Sequence, residues 1–128
     1  MADREETSRL EELFYEGSDL HGEERLEEAL DRFEQCLAID PDYVDAILGK
    51  AMVMSATERH EEAIELAKRM VEIDPDAVLA YTNLSMFYQK AGRIEEAETA
   101  GAKARTLEWK AELVGGQQEP STDGSRED

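Results

Sequence analysis

The sequence repeats itself at a fixed step. Arg25, Leu26, Glu27, Glu28 and Ala29 return as Arg59, His60, Glu61, Glu62 and Ala63, and again as Arg93, Ile94, Glu95, Glu96 and Ala97, 34 residues apart each time. Asp40 and Pro41 return as Asp74 and Pro75 at the same step. Gly17, Ala51 and Ser85 share a column of small residues, Leu20, Met54 and Tyr88 a column of large ones, and Ile39, Ile73 and Leu107 one more aliphatic column. A period of this length marks a stack of small supersecondary units, none of which can bury its apolar face alone.

Each unit reads as two helices. Leu10, Leu13, Gly17 and Leu20 fall on one stripe of a helix starting near Arg9, with Ser8 and Glu11 spaced as a capping box and Gly22 as its end. Leu26, Ala29, Leu30, Phe33, Cys36 and Leu37 form the apolar face of a second helix, and Pro41 disfavours helical backbone at Asp40 and stops it. The same pair is expected at about 43–57 and 60–73, then at 77–91 and 94–114. The last helix meets no proline, because Trp109 stands in that column, so it should run on to Val114 and end at Gly115 and Gly116. The small residues at Gly17, Ala51, Ser85 and at Ala29, Ala63, Ala97 let neighbouring helices approach closely.

The spacing resembles the tetratricopeptide repeat (TPR) family. Its pattern matches Leu13, Gly17, Leu20, Ala29, Phe33 and Pro41, then Ile47, Ala51, Met54, Ala63, Ala67 and Pro75, then Tyr81, Leu84, Ser85, Tyr88, Ala97 and Gly101. The resemblance implies an all-α fold, a right-handed α-solenoid of three TPR-like helix-turn-helix repeats at 10–43, 44–77 and 78–111. Within a TPR domain at 10–114, residues 1–8 are expected to be a flexible N-terminus and 115–128 a disordered acidic tail. The departures are the missing third proline and the small Ala67 and Gly101 where phenylalanine is common.

Charge narrows the function. Asp and Glu number 32 against 14 Lys and Arg, a net charge of −18, which disfavours binding to nucleic acid phosphates. The three repeats carry net charges of −10, −4 and +1, so acidity fades along the stack. No window is apolar enough to span a membrane, no secretory signal is legible, and one cysteine suits a reducing compartment, so a cytoplasmic location is expected. No catalytic or metal constellation stands out, and no cofactor is expected. His21 and His60 lie a repeat apart rather than at i, i+4. Cys36 shares a column with Met70 and Ala104 and reads as a packing residue. The glutamate pairs sit in the first turn of each second helix, where they complement the helix dipole.

A binding surface remains. The TPR resemblance implies that the first helices line a concave groove, faced here by Phe14, Ser18 and His21, by Leu48, Met52 and Ser55, and by Thr82, Met86 and Gln89. No residue of this stripe is an acid, lysine or arginine, in a chain with 36% charged residues. Either the stripe binds a peptide, for which methionine is suited, or it packs on the neighbouring first helix. Some TPR domains hold a peptide carboxylate with basic residues and asparagine. Those positions fall here on Phe14, Ser18, Gly49, Leu79 and Asn83, none of them basic, so acidic chaperone-type tails should not bind. The expected function is a non-catalytic adaptor that binds a peptide of a protein partner, with the acidic rim favouring a basic one. The alternative is self-assembly through the terminal helices. It would use Trp109, Leu113 and Val114 as a homodimer contact, or stack the acidic N-terminal end on the neutral C-terminal one.

Overall fold

A computed structural model describes residues 3–117. Among them are six helices and no strand: α1 (Arg4–Gly22), α2 (Leu26–Ile39), α3 (Val44–Ala56), α4 (His60–Ile73), α5 (Val78–Lys90) and α6 (Ile94–Gln117). They form an all-α solenoid. The pairs α1/α2, α3/α4 and α5/α6 pack within themselves, and α3 and α5 seat against α2 and α4 of the pair before.

Two kinds of turn recur. Between the helices of a pair, Glu24 (φ 62°), Glu58 (φ 63°) and Gly92 (φ 80°) take the left-handed conformation. Each time, the next arginine N–H bonds back to the carbonyl five residues earlier: Arg25 to Leu20 at 2.9 Å, Arg59 to Met54 at 2.7 Å and Arg93 to Tyr88 at 2.8 Å. Glu24, Glu58 and Gly92 donate to His21, Ser55 and Gln89, completing a Schellman cap three times. Between pairs, the Asp-Pro step leaves the helical region. Asp40 has ψ 99° and Asp74 ψ 94°, and their carboxylates accept the N–H of Asp42 and Asp76 at 3.0 Å.

The core is built from the repeated columns. Ala29, Ala63 and Ala97 are at most 1% exposed. Phe33 does the work of a wedge: a Cβ on Gly17 of α1 would lie 2.7 Å from its ring, and one on Gly49 of α3 would lie 2.6 Å away. Both glycines are therefore required by close approach, not by backbone angle. Cys36 is fully buried with its Sγ 3.6 Å from the Leu10 carbonyl, and burial pushes its thiol up, away from the reactive thiolate.

Two boundaries differ from the sequence expectation. The first helix starts at Arg4, capped by a reciprocal box between Asp3 and Glu6 (Glu6 N–H to Asp3 Oδ1 at 2.8 Å), so Ser8 and Glu11 lie inside it. The same Asp/Ser-x-x-Glu spacing occurs twice within the first eleven residues, and the upstream copy is followed by good helix formers. Gly22 is the last residue of α1, as expected, and Glu24 turns the chain after it. The last helix passes Gly115 and reaches Gln117, because a glycine weakens a helix by about 1 kcal/mol without the clash a proline brings. The tail expected to be disordered otherwise lies outside the described residues, at 118–128.

Candidate peptide-binding face and the open end of the stack

The uncharged stripe runs across α1, α3 and α5. Phe14, Ser18, His21, Leu48, Met52 and Met86 are half-buried, Thr82 and Gln89 are exposed, and Ser55 is buried. Phe14 is shared between core and surface. Its ring lies 6.1 Å from Phe33, 6.3 Å from Tyr43 and 5.6 Å from the exposed Tyr15. Asn83, which has the amide side chain that a carboxylate clamp uses, is turned inward: it is 9% exposed and donates through Nδ2 to the Leu79 carbonyl at 2.9 Å. Leu79 itself points to water, and Gly49 is filled by Phe33.

The glutamate pairs have a second use that helix-dipole reasoning missed. Arg59 reaches back to Glu27 at 3.1 Å and Arg93 to Glu61 at 2.6 Å, each from one pair to the pair before. Glu28 and Glu96 accept bonds from the arginine of their own pair, Arg25 and Arg93, which hold both carboxylates below the usual range. The signal was legible as an Arg/Glu pair 32 residues apart. His60 sits in the otherwise aliphatic column of Leu26 and Ile94. Its Nδ1 is the one buried side-chain nitrogen or oxygen without a hydrogen-bond partner among the described residues. No group of three His, Cys, Asp or Glu able to hold a metal occurs there, nor a helix long and apolar enough to cross a membrane.

Among the described residues, no helix covers the C-terminal end of the stack. Thr82, Ser85, Met86, Gln89, Gly101, Ala104, Arg105 and Glu108 line a cleft of about 380 Å³ between α5 and α6. In the two earlier pairs the same columns hold Phe33 and Ala67 in place of Gly101, and Leu37 and Val71 in place of Arg105, under the helix that follows. Beyond the cleft α6 continues past its repeat, exposing Trp109 at 61%, Leu113 at 47% and Val114 at 47%.

A tetratricopeptide repeat family model matches residues 20–77 and 56–104, which overlap to cover most of the chain. The chain belongs to the tetratricopeptide repeat family. TPR units of this kind are in general non-catalytic modules of protein interaction. No curated protein matches the chain. Among solved structures it is similar to MamA, at 25% identity and a TM-score of 0.76, covering 81% of this chain and 61% of that one. It is also similar to the TPR domain of Sgt2 from Aspergillus fumigatus, at 25% identity, a TM-score of 0.73 and coverage of 77% and 66%. The second TPR of Spaghetti (RPAP3), solved with the HSP90 peptide SRMEEVD, shares the fold at 16% identity and a TM-score of 0.73, over 82% of this chain and 99% of that domain. The chain thus spans about three fifths of the MamA chain.

Proposed function

We propose that this TPR chain is a non-catalytic adaptor that holds a segment of another protein against the stripe on α1, α3 and α5. One observation carries the reading: the stripe is uncharged and half open to water in a molecule of net charge −18. A solvated face of such a chain would be expected to carry acids. Phe14, Leu48, Met52 and Met86 serve as apolar anchors, with Ser18, Thr82 and Gln89 as adaptable polar contacts. The two methionines suit a groove that accommodates more than one side chain. A related fold binding a peptide, in the RPAP3 domain, is consistent with this use.

Capture of a terminal carboxylate is not part of the proposal. The stripe has no lysine or arginine, and the Asn83 amide is spent within α5. The acidic first repeat surrounds the stripe with a field that attracts and orients a basic segment. The test is crosslinking capture of partners by the wild type and by a Met52→Glu/Met86→Glu variant. The variant should lose the partner that the wild type captures while keeping its helical circular dichroism. Equal capture by both would overturn the reading.

A further inference from the structure

We propose that two copies of the chain pair through their α6 helices, antiparallel about a twofold axis, with Trp109 and Leu113 of each copy seated over Arg105 and Gly101 of the other. The inference rests on the uncovered end of the stack, whose cleft shares Thr82, Met86 and Gln89 with the peptide-binding stripe, but it needs no peptide to be bound there. Residues 101, 105, 109 and 113 are spaced by four and so lie along one ridge of α6. The first half of that ridge is small or cationic, with Gly101 and Arg105. The second half is bulky and apolar, with Trp109 and Leu113. An antiparallel copy reverses the order, so Leu113 comes over Gly101, where an added Cβ would lie 3.3 Å from Ser85 Oγ and 3.6 Å from the Arg105 guanidinium, and the Trp109 indole meets that guanidinium, both twice. A parallel copy would set Arg105 on Arg105, as would an antiparallel slip of four residues in one direction; a slip in the other sets Trp109 on Trp109 and Arg105 on Leu113 and leaves Gly101 uncovered.

The choice of a second copy follows from what else could cover this face. In the first two pairs the columns of Gly101 and Arg105 are covered by the helix that follows, so the first half of the ridge lies in an interface the fold already uses. Residues 118–128 offer it no aliphatic or aromatic side chain. The other end of the molecule cannot seal it. Glu12 occupies the column in which Ala46 and Ala80 are fully buried, and Asp19 the column of the fully buried Val53 and Phe87. Head-to-tail stacking would bury those carboxylates, whereas tail-to-tail pairing buries an indole and a leucine. Charge agrees: residues 78–128 sum to −3 while residues 1–43 sum to −11, so two copies repel least when their C-terminal ends meet.

Light scattering and sedimentation over a range from low micromolar to submillimolar concentration test the pairing. The mass should rise from one chain of 14.4 kDa towards two and stop there. Trp109 is the chain's one tryptophan, so its emission should shift to the blue over the same concentrations. Trp109→Glu and Arg105→Glu should each raise the dissociation constant by about tenfold or more with helical content unchanged. Tyr15→Glu, at the opposite end, should leave it unaltered. A wild type that stays at one chain throughout overturns the proposal. So does growth beyond two chains, a doubled mass with unchanged tryptophan emission, or a dimer weakened by Tyr15→Glu and not by Trp109→Glu.

Discussion

Phe33 leaves no room for a side chain at two glycines, Gly17 and Gly49. Gly49→Ala would gain about 1 kcal/mol of helix propensity, yet it drives a methyl into a ring that is 1% exposed and cannot retreat. We expect a net loss of about 1–3 kcal/mol in urea unfolding, largely recovered when Phe33→Leu is added. Additive effects of the two substitutions would show that the ring is not the obstacle. His60 gives the opposite prediction. Its orphan Nδ1 sits in a column that elsewhere holds Leu26 and Ile94, so His60→Leu should raise stability by about 1 kcal/mol, read from the same unfolding midpoint. The small column at Gly17 was legible from the repeat. Gly49 was not, because it recurs nowhere at the 34-residue step: Tyr15 and Asn83 stand in its column, and only the ring beside it explains it.

The helices were read from periodicity with bounds correct to a residue or two wherever a proline or a repeated turn marked them. They were misread where the marker was weak. A capping box is a four-residue signal that occurred twice, and glycine stops a helix only when the chain must turn there, so both outer ends came out too short. The inner turns carry a cost that the sequence hides. Glu24 and Glu58 hold the left-handed conformation that Gly92 holds for free, at roughly 1 kcal/mol each. Glu24→Gly and Glu58→Gly should each raise the thermal midpoint, and Gly92→Ala should lower it. A fall for both glycine variants would mean that the lost charges outweigh the backbone. Arg59 and Arg93, which follow these turns, tie each pair to the one before it through Glu27 and Glu61. These links are exposed and should be weak and salt-sensitive.

For the molecule as a whole, the family and the solenoid were legible because three copies of one pattern constrain each other. The proposed binding face was legible only as a stripe of residue types. Nothing in sequence could say that Phe14 is half committed to the core through Phe33 and Tyr43, or that Asn83 is consumed by its own helix. The open cleft at Gly101 and Arg105 could have been found by comparing columns, since both replace larger apolar residues of the earlier repeats. Net charge yields a further prediction. An acidic peptide with a free C-terminal carboxylate should show no binding in a calorimetric titration at micromolar concentration, because it meets no counter-charge on the stripe. Binding that weakens with added salt would contradict this.

A side chain grown from α2 and gripped by α1 and α3 also couples motions that a simple chain of hairpins would keep separate. Any opening that lifts α1 away must uncover the same benzyl group that anchors α3. Amide protons in the middle of these three helices should therefore exchange with solvent through one shared event. The N-terminal hairpin would not peel off first, and the smallest cooperative block of the protein would span one and a half repeats.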